Sequence, residues 1–203
     1  MQAKALDHLY EAEDYEQFME LLKGTSGKML RLGEHHRLGE WLDGLAEKLP
    51  DLPTWVNYEL ANIHSLRGNW ELTREYLERC RASVKHDDDP KGVLWLPKIN
   101  RAYAVMCARR GWAAEARTYC RRGLDYIRQV RRRRELPTEI DEELIRLQLR
   151  LLDRLATNKY TSGLFSRAWD VSTEAREIAL RANDLSFECR APVSYTHLRA
   201  HET

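Results

Sequence analysis

Apolar side chains recur along this chain at steps of three and four residues, the period of a helix with one buried face. The pattern is clearest in residues 54–84, TWVNYELANIHSLRGNWELTREYLERCRASV. Val56, Leu60, Ile63 and His64 fall on one face of a first helix, and Trp70, Thr73, Leu77 and Cys80 on one face of a second. Arg67-Gly68-Asn69 joins them, with glycine where one helix must stop and the chain reverse. The same period predicts helices over 2–11, 14–24, 26–32, 35–48, 54–67, 70–84, 93–109, 112–129, 138–159 and 164–182. Pro53 and Pro137 each precede a predicted helix start, a position that tolerates proline. Asn183-Asp184 reads as a turn into one more helix.

A helical hairpin with one apolar side cannot bury that side alone, and the chain repeats the unit. Five landmarks mark the turns: Glu13, Gly33, Gly68, Gly111 and Gly163. A bulky residue follows each within two positions: Tyr15, His35, Trp70, Trp112 and Phe165. Five positions on comes a packing residue: Phe18, Leu38, Thr73, Ala116 and Ala168. Twelve on comes a mostly small one: Thr25, Leu45, Cys80, Gly123 and Ala175. Ala61, Ala104 and Ala156 stand seven before the last three landmarks, where a small side chain lets two helix axes approach. Successive separations from Gly33 onward are 35, 43 and 52 residues. The longer ones contain Lys85 to Gly92 and Val130 to Thr138, which read as loops inserted between repeats. Glu13 to Gly33 spans only 20, so the first units have shortened helices or pair differently.

Composition narrows the class. Of 203 residues 43% are apolar and 32% charged, with a net charge of +1. That suffices for a core and gives no general pull toward nucleic acid or an anionic membrane. No apolar run reaches the roughly 18 residues of a membrane span. The N-terminal MQAKALDHLYEAEDYE carries acids where a secretory leader would be apolar, so a cytoplasmic location is expected. Cys80, Cys107, Cys120 and Cys189 form no CxxC pair and read as small apolar residues between helices in a reducing compartment. Residues 192–203, PVSYTHLRAHET, lose the helical period and resemble the translation of a transposase sequencing adapter. They are expected to be a non-native tail, with the natural chain continuing beyond about Ala191, so His197 and His201 are not read as metal ligands.

The residue types at these spacings resemble the tetratricopeptide repeat (TPR), a helix-turn-helix of about 34 residues. Residues 29–77 are similar, more specifically, to the repeat region of the MalT type found in bacterial LuxR-type transcriptional regulators and related signal-transduction ATPases. Gly33-Glu34, Leu38, Trp41-Leu42, Leu49-Pro50, Pro53, Ala61, Gly68 and Tyr76-Leu77 carry that resemblance. Residues 144–184 resemble the more regular repeats of the same class. The resemblance implies an all-α, right-handed α-solenoid of about five TPR-like hairpins over residues 1–191. It also implies a non-catalytic sensor arm that recognises a protein, a peptide or a small-molecule effector and responds by changing curvature. Neither a GxxxxGK[ST] loop nor a DNA-reading helix-turn-helix is found in this stretch, so a free-standing scaffold or adaptor stays open. An RNA-binding helical-repeat protein is a third reading, against which the irregular spacing argues.

In such an array the concave face binds. The repeat register places on it Trp55, Tyr58, Asn62 and Ser65, then Lys98, Arg101 and Val105, then Arg150, Asp153 and Thr157. Trp, Tyr and Arg are types that anchor interfaces; packing of Trp55 and Tyr58 against the preceding hairpin is the other account, equal in weight for Trp55, whereas the groove is favoured for Arg101. Arg131 to Arg134, with Arg121, Arg122 and Arg128, form a basic cluster. Contact with nucleic acid or an acidic partner is one account. The lack of interleaved aromatics favours a solvated loop opposite Glu139, Asp141, Glu142 and Glu143, so no direct nucleic-acid contact is expected. His86 beside Asp87 to Asp89 lacks the spacing of a calcium loop, and adjacent His35 and His36 cannot form the i, i+4 pair of a zinc helix. No paired-carboxylate, Ser-His-Asp or Cys-His arrangement emerges, so no catalytic, cofactor or metal site is expected. Trp41, Trp70, Trp112 and Trp169 are expected to fill gaps between helices.

Overall fold

The computed structural model describes residues 2–84, 91–133 and 135–182. The predicted tail at 192–203, the Asn183-Asp184 turn, the His86 to Asp89 segment, Cys189 and Arg134 lie outside the described residues. Every regular element among those described is helical. In order they are α1 (Gln2–Glu11), α2 (Tyr15–Arg31), α3 (His35–Lys48), α4 (Thr54–Arg67), α5 (Trp70–Ser83), a 3₁₀ turn (Gly92–Leu94), α6 (Trp95–Arg109), α7 (Ala113–Arg133), α8 (Thr138–Thr161) and α9 (Phe165–Arg181). They divide into two compact units, Met1–Cys80 and Arg81–Thr203. None of the described helices is long and apolar enough to cross a membrane.

The five landmarks are the five described residues with positive φ: +57° at Glu13, +81° at Gly33, +77° at Gly68, +79° at Gly111 and +73° at Gly163. At Gly68 the left-handed residue closes α4, its N–H and that of Asn69 both turning back to the His64 carbonyl. A residue with a Cβ would be strained in that conformation. The residues five positions on, Phe18, Leu38, Thr73, Ala116 and Ala168, are all at most 1% exposed. Those twelve positions on are buried too, as are Ala61, Ala104 and Ala156. The spacing therefore records which side of each helix is enclosed.

Three expectations change. Residues 24–26 do not break a helix, because α2 runs unbroken through Gly24-Thr25-Ser26-Gly27. The Thr25 hydroxyl donates to the Leu21 and Leu22 carbonyls, so its polar group is satisfied inside the helix rather than in a turn. The first two predicted hairpins thus share α2 instead of owning a pair of helices each. Next, α7 extends to Arg133, not 129, which leaves only a short link before α8. Arg131, Arg132 and Arg133 form its last turn, where cations favour the negative end of the helix dipole. Finally, of the tryptophans expected to fill gaps, Trp112 is exposed and Trp70 only half-buried; the bulky residues after the other landmarks also stay near the surface, His35 and Phe165 exposed and Tyr15 half-buried. Trp112 fills no inter-helix gap, and the Arg110 guanidinium lies 3.7 Å from its ring centre. Trp41 is buried as expected.

In the first unit α1 packs on α2, α2 on α3 and α3 on α4. Edge-on rings link the first three, with Tyr10–Phe18 centroids at 5.3 Å and Phe18–Trp41 at 5.7 Å. The Cys80 thiol donates to the Thr54 carbonyl at 3.4 Å, tying α5 to the start of α4. In the second unit α6 packs on α7, α7 on α8 and α8 on α9, and α6 also meets α8. Its core gathers Leu124, Ile127, Ile140, Leu144, Leu147 and Leu151 with smaller residues such as Cys120 and Ala175. Gly123 on α7 permits the closest approach there. A Cβ on it would lie 2.8 Å from Leu151 Cδ1 and 3.4 Å from Asn100 Cβ.

Candidate functional site

The expected recognition residues fall on both units. Trp55, Tyr58, Asn62 and Ser65 belong to α4 in the first. Tyr58 and Ser65 are buried, so packing, not a groove, describes Tyr58. Trp55 is half-buried, and the half-buried Asn62 amide donates to Glu59 Oε2 at 3.3 Å. Lys98, Arg101 and Val105 belong to α6, and Arg150, Asp153 and Thr157 to α8, in the second unit.

The structure brings the two helices that carry these last two sets together. Near the start of both helices the Lys98 ammonium pairs with Glu143 Oε1 at 3.3 Å. Near their ends Arg109 of α6 and Arg154 of α8 line one cavity. Contacts start-to-start and end-to-end mean that α6 and α8 run side by side in the same direction. Lys98, Arg101 and Val105 are half-buried, whereas Arg150, Asp153 and Thr157 are exposed, so the α8 side is the more open.

The cavity measures about 420 Å³. Arg109, the turn at Gly111, and Arg154, Thr157, Asn158 and Thr161 line it. The four α8 residues follow steps of three, one and three, which places them on a single helical face. Arg117 on α7 braces the rim, donating to Asn158 Oδ1 at 3.0 Å and Ser162 Oγ at 3.2 Å. The Ser162 and Thr161 hydroxyls in turn donate to the Asn158 carbonyl at 2.8 and 3.1 Å. Partial burial, and then the charge of Arg154, hold Arg109 below the ordinary arginine value. Lys159 is also held low, first by burial and then by Arg121 and Arg167.

Sequence reasoning stopped one turn short of the cavity. Carrying the register of Arg101 and Val105 on by four reaches Arg109, and carrying that of Arg150 on by four reaches Arg154.

Arg128, Arg131 and Arg146 are engaged with carboxylates. Arg131 makes a forked contact with Asp141, Nε to Oδ1 at 2.7 Å and Nη2 to Oδ2 at 2.9 Å. Arg128 reaches Asp125 and Glu174, and Arg146 reaches Glu142 and Glu143. The acidic start of α8 thus faces the basic end of α7, as expected, but from helix to helix and not from a loop.

A second polar cluster lies in the first unit, where spacing gave no hint of it. His64 Nε2 is 3.2 Å from Asp43 Oδ1, and Arg67 donates to Asp43 Oδ2 at 2.5 Å. The His64 ring stacks on Tyr76, with centroids 5.5 Å apart and planes 2° from parallel. His64 is only 5% exposed, and its Nδ1 is buried without a hydrogen-bond partner. The neutral ring therefore donates from Nε2, and protonation would put a proton on Nδ1 where nothing accepts it. Burial is the main cause that lowers the His64 pKa below 6.5, ahead of the opposing pull of Asp43. With the folded value below the unfolded one, the stabilisation is full above about pH 6.5 and is lost as pH falls through that value toward the folded pKa. Melting followed from about pH 8 to about pH 5 should show this loss, and His64→Phe should flatten that part of the profile. An unchanged slope in His64→Phe would refute the assignment to His64.

Cys80, Cys107 and Cys120 are buried thiols. Burial raises the pKa of Cys107 and pushes those of Cys80 and Cys120 up to about 12, so they pack and do not act as nucleophiles. Among the described residues no three His, Cys, Asp or Glu side chains gather as a metal site would require.

Comparison with protein-family models, with curated proteins and with solved structures finds no match for this chain.

Proposed function

We propose that the chain is a TPR-like α-solenoid of MalT type, acting without catalysis in protein or ligand recognition as the sensor arm of a bacterial cytoplasmic transcriptional regulator. One observation carries this: α6 and α8, the first helices of two successive turn-linked pairs, run parallel and adjacent. That is how the first helices of stacked repeats line a binding face. The left-handed turns at the repeat landmarks and the burial of the positions counted from them support the same repeat. Lys98, Arg101, Arg150 and Asp153 then form the polar wall of the face, and the cavity beyond them closes one end. A ligand seated there would act mechanically, by fixing the spacing of α6 and α8.

The test is amide hydrogen exchange on the chain with acidic peptides, basic peptides and small metabolites. A recognised ligand should protect residues 95–109 and 138–161. Arg101→Glu together with Arg150→Glu should remove that protection while far-UV circular dichroism stays unchanged. Protection confined to other helices would overturn the assignment. The uninterrupted gene separates regulator from scaffold: a regulator requires a nucleotide-binding loop upstream and a DNA-reading helix downstream, and a free-standing scaffold has neither.

A further inference from the structure

The cavity at the end of the α6–α8 face has a chemistry of its own. Two arginines line it from different helices, Arg109 from the last turn of α6 and Arg154 from α8. Among the described residues that line it there is no carboxylate. Like charges brought together around an open space raise the local potential, and a doubly charged anion between them relieves it. The two charges sense one another, since burial and then the charge of Arg154 hold Arg109 below its ordinary value. Arginine is suited to the task because its planar fork matches the oxygens of a phosphate two at a time.

The walls say something about the rest of the ligand. About 420 Å³ is more than a bare anion needs and falls within the roughly 300–1,000 Å³ of small-molecule sites. Ala108 and Ala113 line it with small apolar residues, and Thr157 and Thr161 complete the wall. The bonds from Arg117 to Asn158 and Ser162 fix one rim before any ligand arrives, which lowers the ordering cost of binding.

We infer that this cavity binds a small phosphate monoester, its dianionic group held between Arg109 and Arg154 and its organic body against the alanine and threonine walls. The inference rests on the recognition role proposed above and names the class of effector.

Calorimetric titration of the full chain tests it, with ribose 5-phosphate, inorganic phosphate, ribose and succinate as probes at matched ionic strength. Saturable binding of ribose 5-phosphate, tighter than that of inorganic phosphate and absent for ribose, is expected. Arg109→Ala and Arg154→Ala should each weaken it about tenfold or more, the loss of a charge-assisted contact. Arg154→Lys keeps the charge without the fork and should fall in between, which separates loss of the contact from loss of the fold. Equal affinity in the double alanine variant, or no saturable binding of either phosphate probe, would overturn the inference. Succinate binding as tightly as ribose 5-phosphate would overturn the phosphate assignment. Tighter binding of a phosphoserine peptide would overturn the small-molecule assignment. Arg101→Glu with Arg150→Glu leaves both cavity arginines in place, so a lost peptide face and a lost phosphate site are told apart.

Discussion

Leu144→Ala is expected to destabilise the second unit by about 2–5 kcal/mol, the cost of deleting a fully buried leucine and leaving a void. Leu144 is 0% exposed and sits on α8 within the cluster of Leu124, Ile127, Ile140, Leu147 and Leu151. The loss combines the transfer free energy of the removed methyl groups with the contacts their neighbours no longer make. Against a total stability of roughly 5–15 kcal/mol this is a large fraction. Urea denaturation should show a lower midpoint with an unchanged slope. Leu180, 51% exposed on α9, is the control, and Leu180→Ala should stay within about 0.5 kcal/mol of the parent. Similar losses in the two variants would mean that Leu144 is not enclosed.

Gly123→Leu is expected to cost about 1–3 kcal/mol or more, by the opposite mechanism of too much volume. The Leu151 methyls already stand 2.8 and 3.2 Å from where a Cβ would be, and Asn100 Cβ at 3.4 Å closes the other side. Leu151 is 0% exposed, so it has little room to retreat. Gly123→Ala separates two effects. It gains up to about 1 kcal/mol of helix propensity but its Cβ must still displace the enclosed Leu151 methyl, so it should fall between the parent and the leucine variant in thermal melts. A leucine variant as stable as the parent would show that α6, α7 and α8 are less closely packed than described.

Much of the helical framework was legible because turns and enclosed faces obey local rules. A chain reversal at positive φ favours glycine, and a helix face against a neighbour favours Ala, Leu or Cys at fixed steps. Gly24-Thr25-Ser26-Gly27 misled because its composition is that of a turn, while the Thr25 hydroxyl finds carbonyls inside the helix. The arginine run misled because its pairing with Asp141 is a contact between helices. Trp112 misled because an aromatic ring beside a turn can lie under an arginine at the surface as readily as in a core. Least legible were the clusters assembled from distant residues. Asp43, His64 and Tyr76 come from three helices with no local pattern to bring them together, and Arg109 and Arg154, from two, lie one turn past the register positions that were read.

The position of the cavity on α8 has a thermodynamic consequence. This helix carries Arg154, Thr157 and Thr161 along one side and Leu144, Leu147 and Leu151 along another. A guest held at Arg154 therefore grips the beam about which the second unit is built, not a peripheral loop. Whatever occupies it at concentrations well above its dissociation constant adds its binding free energy to the work of unfolding the entire unit.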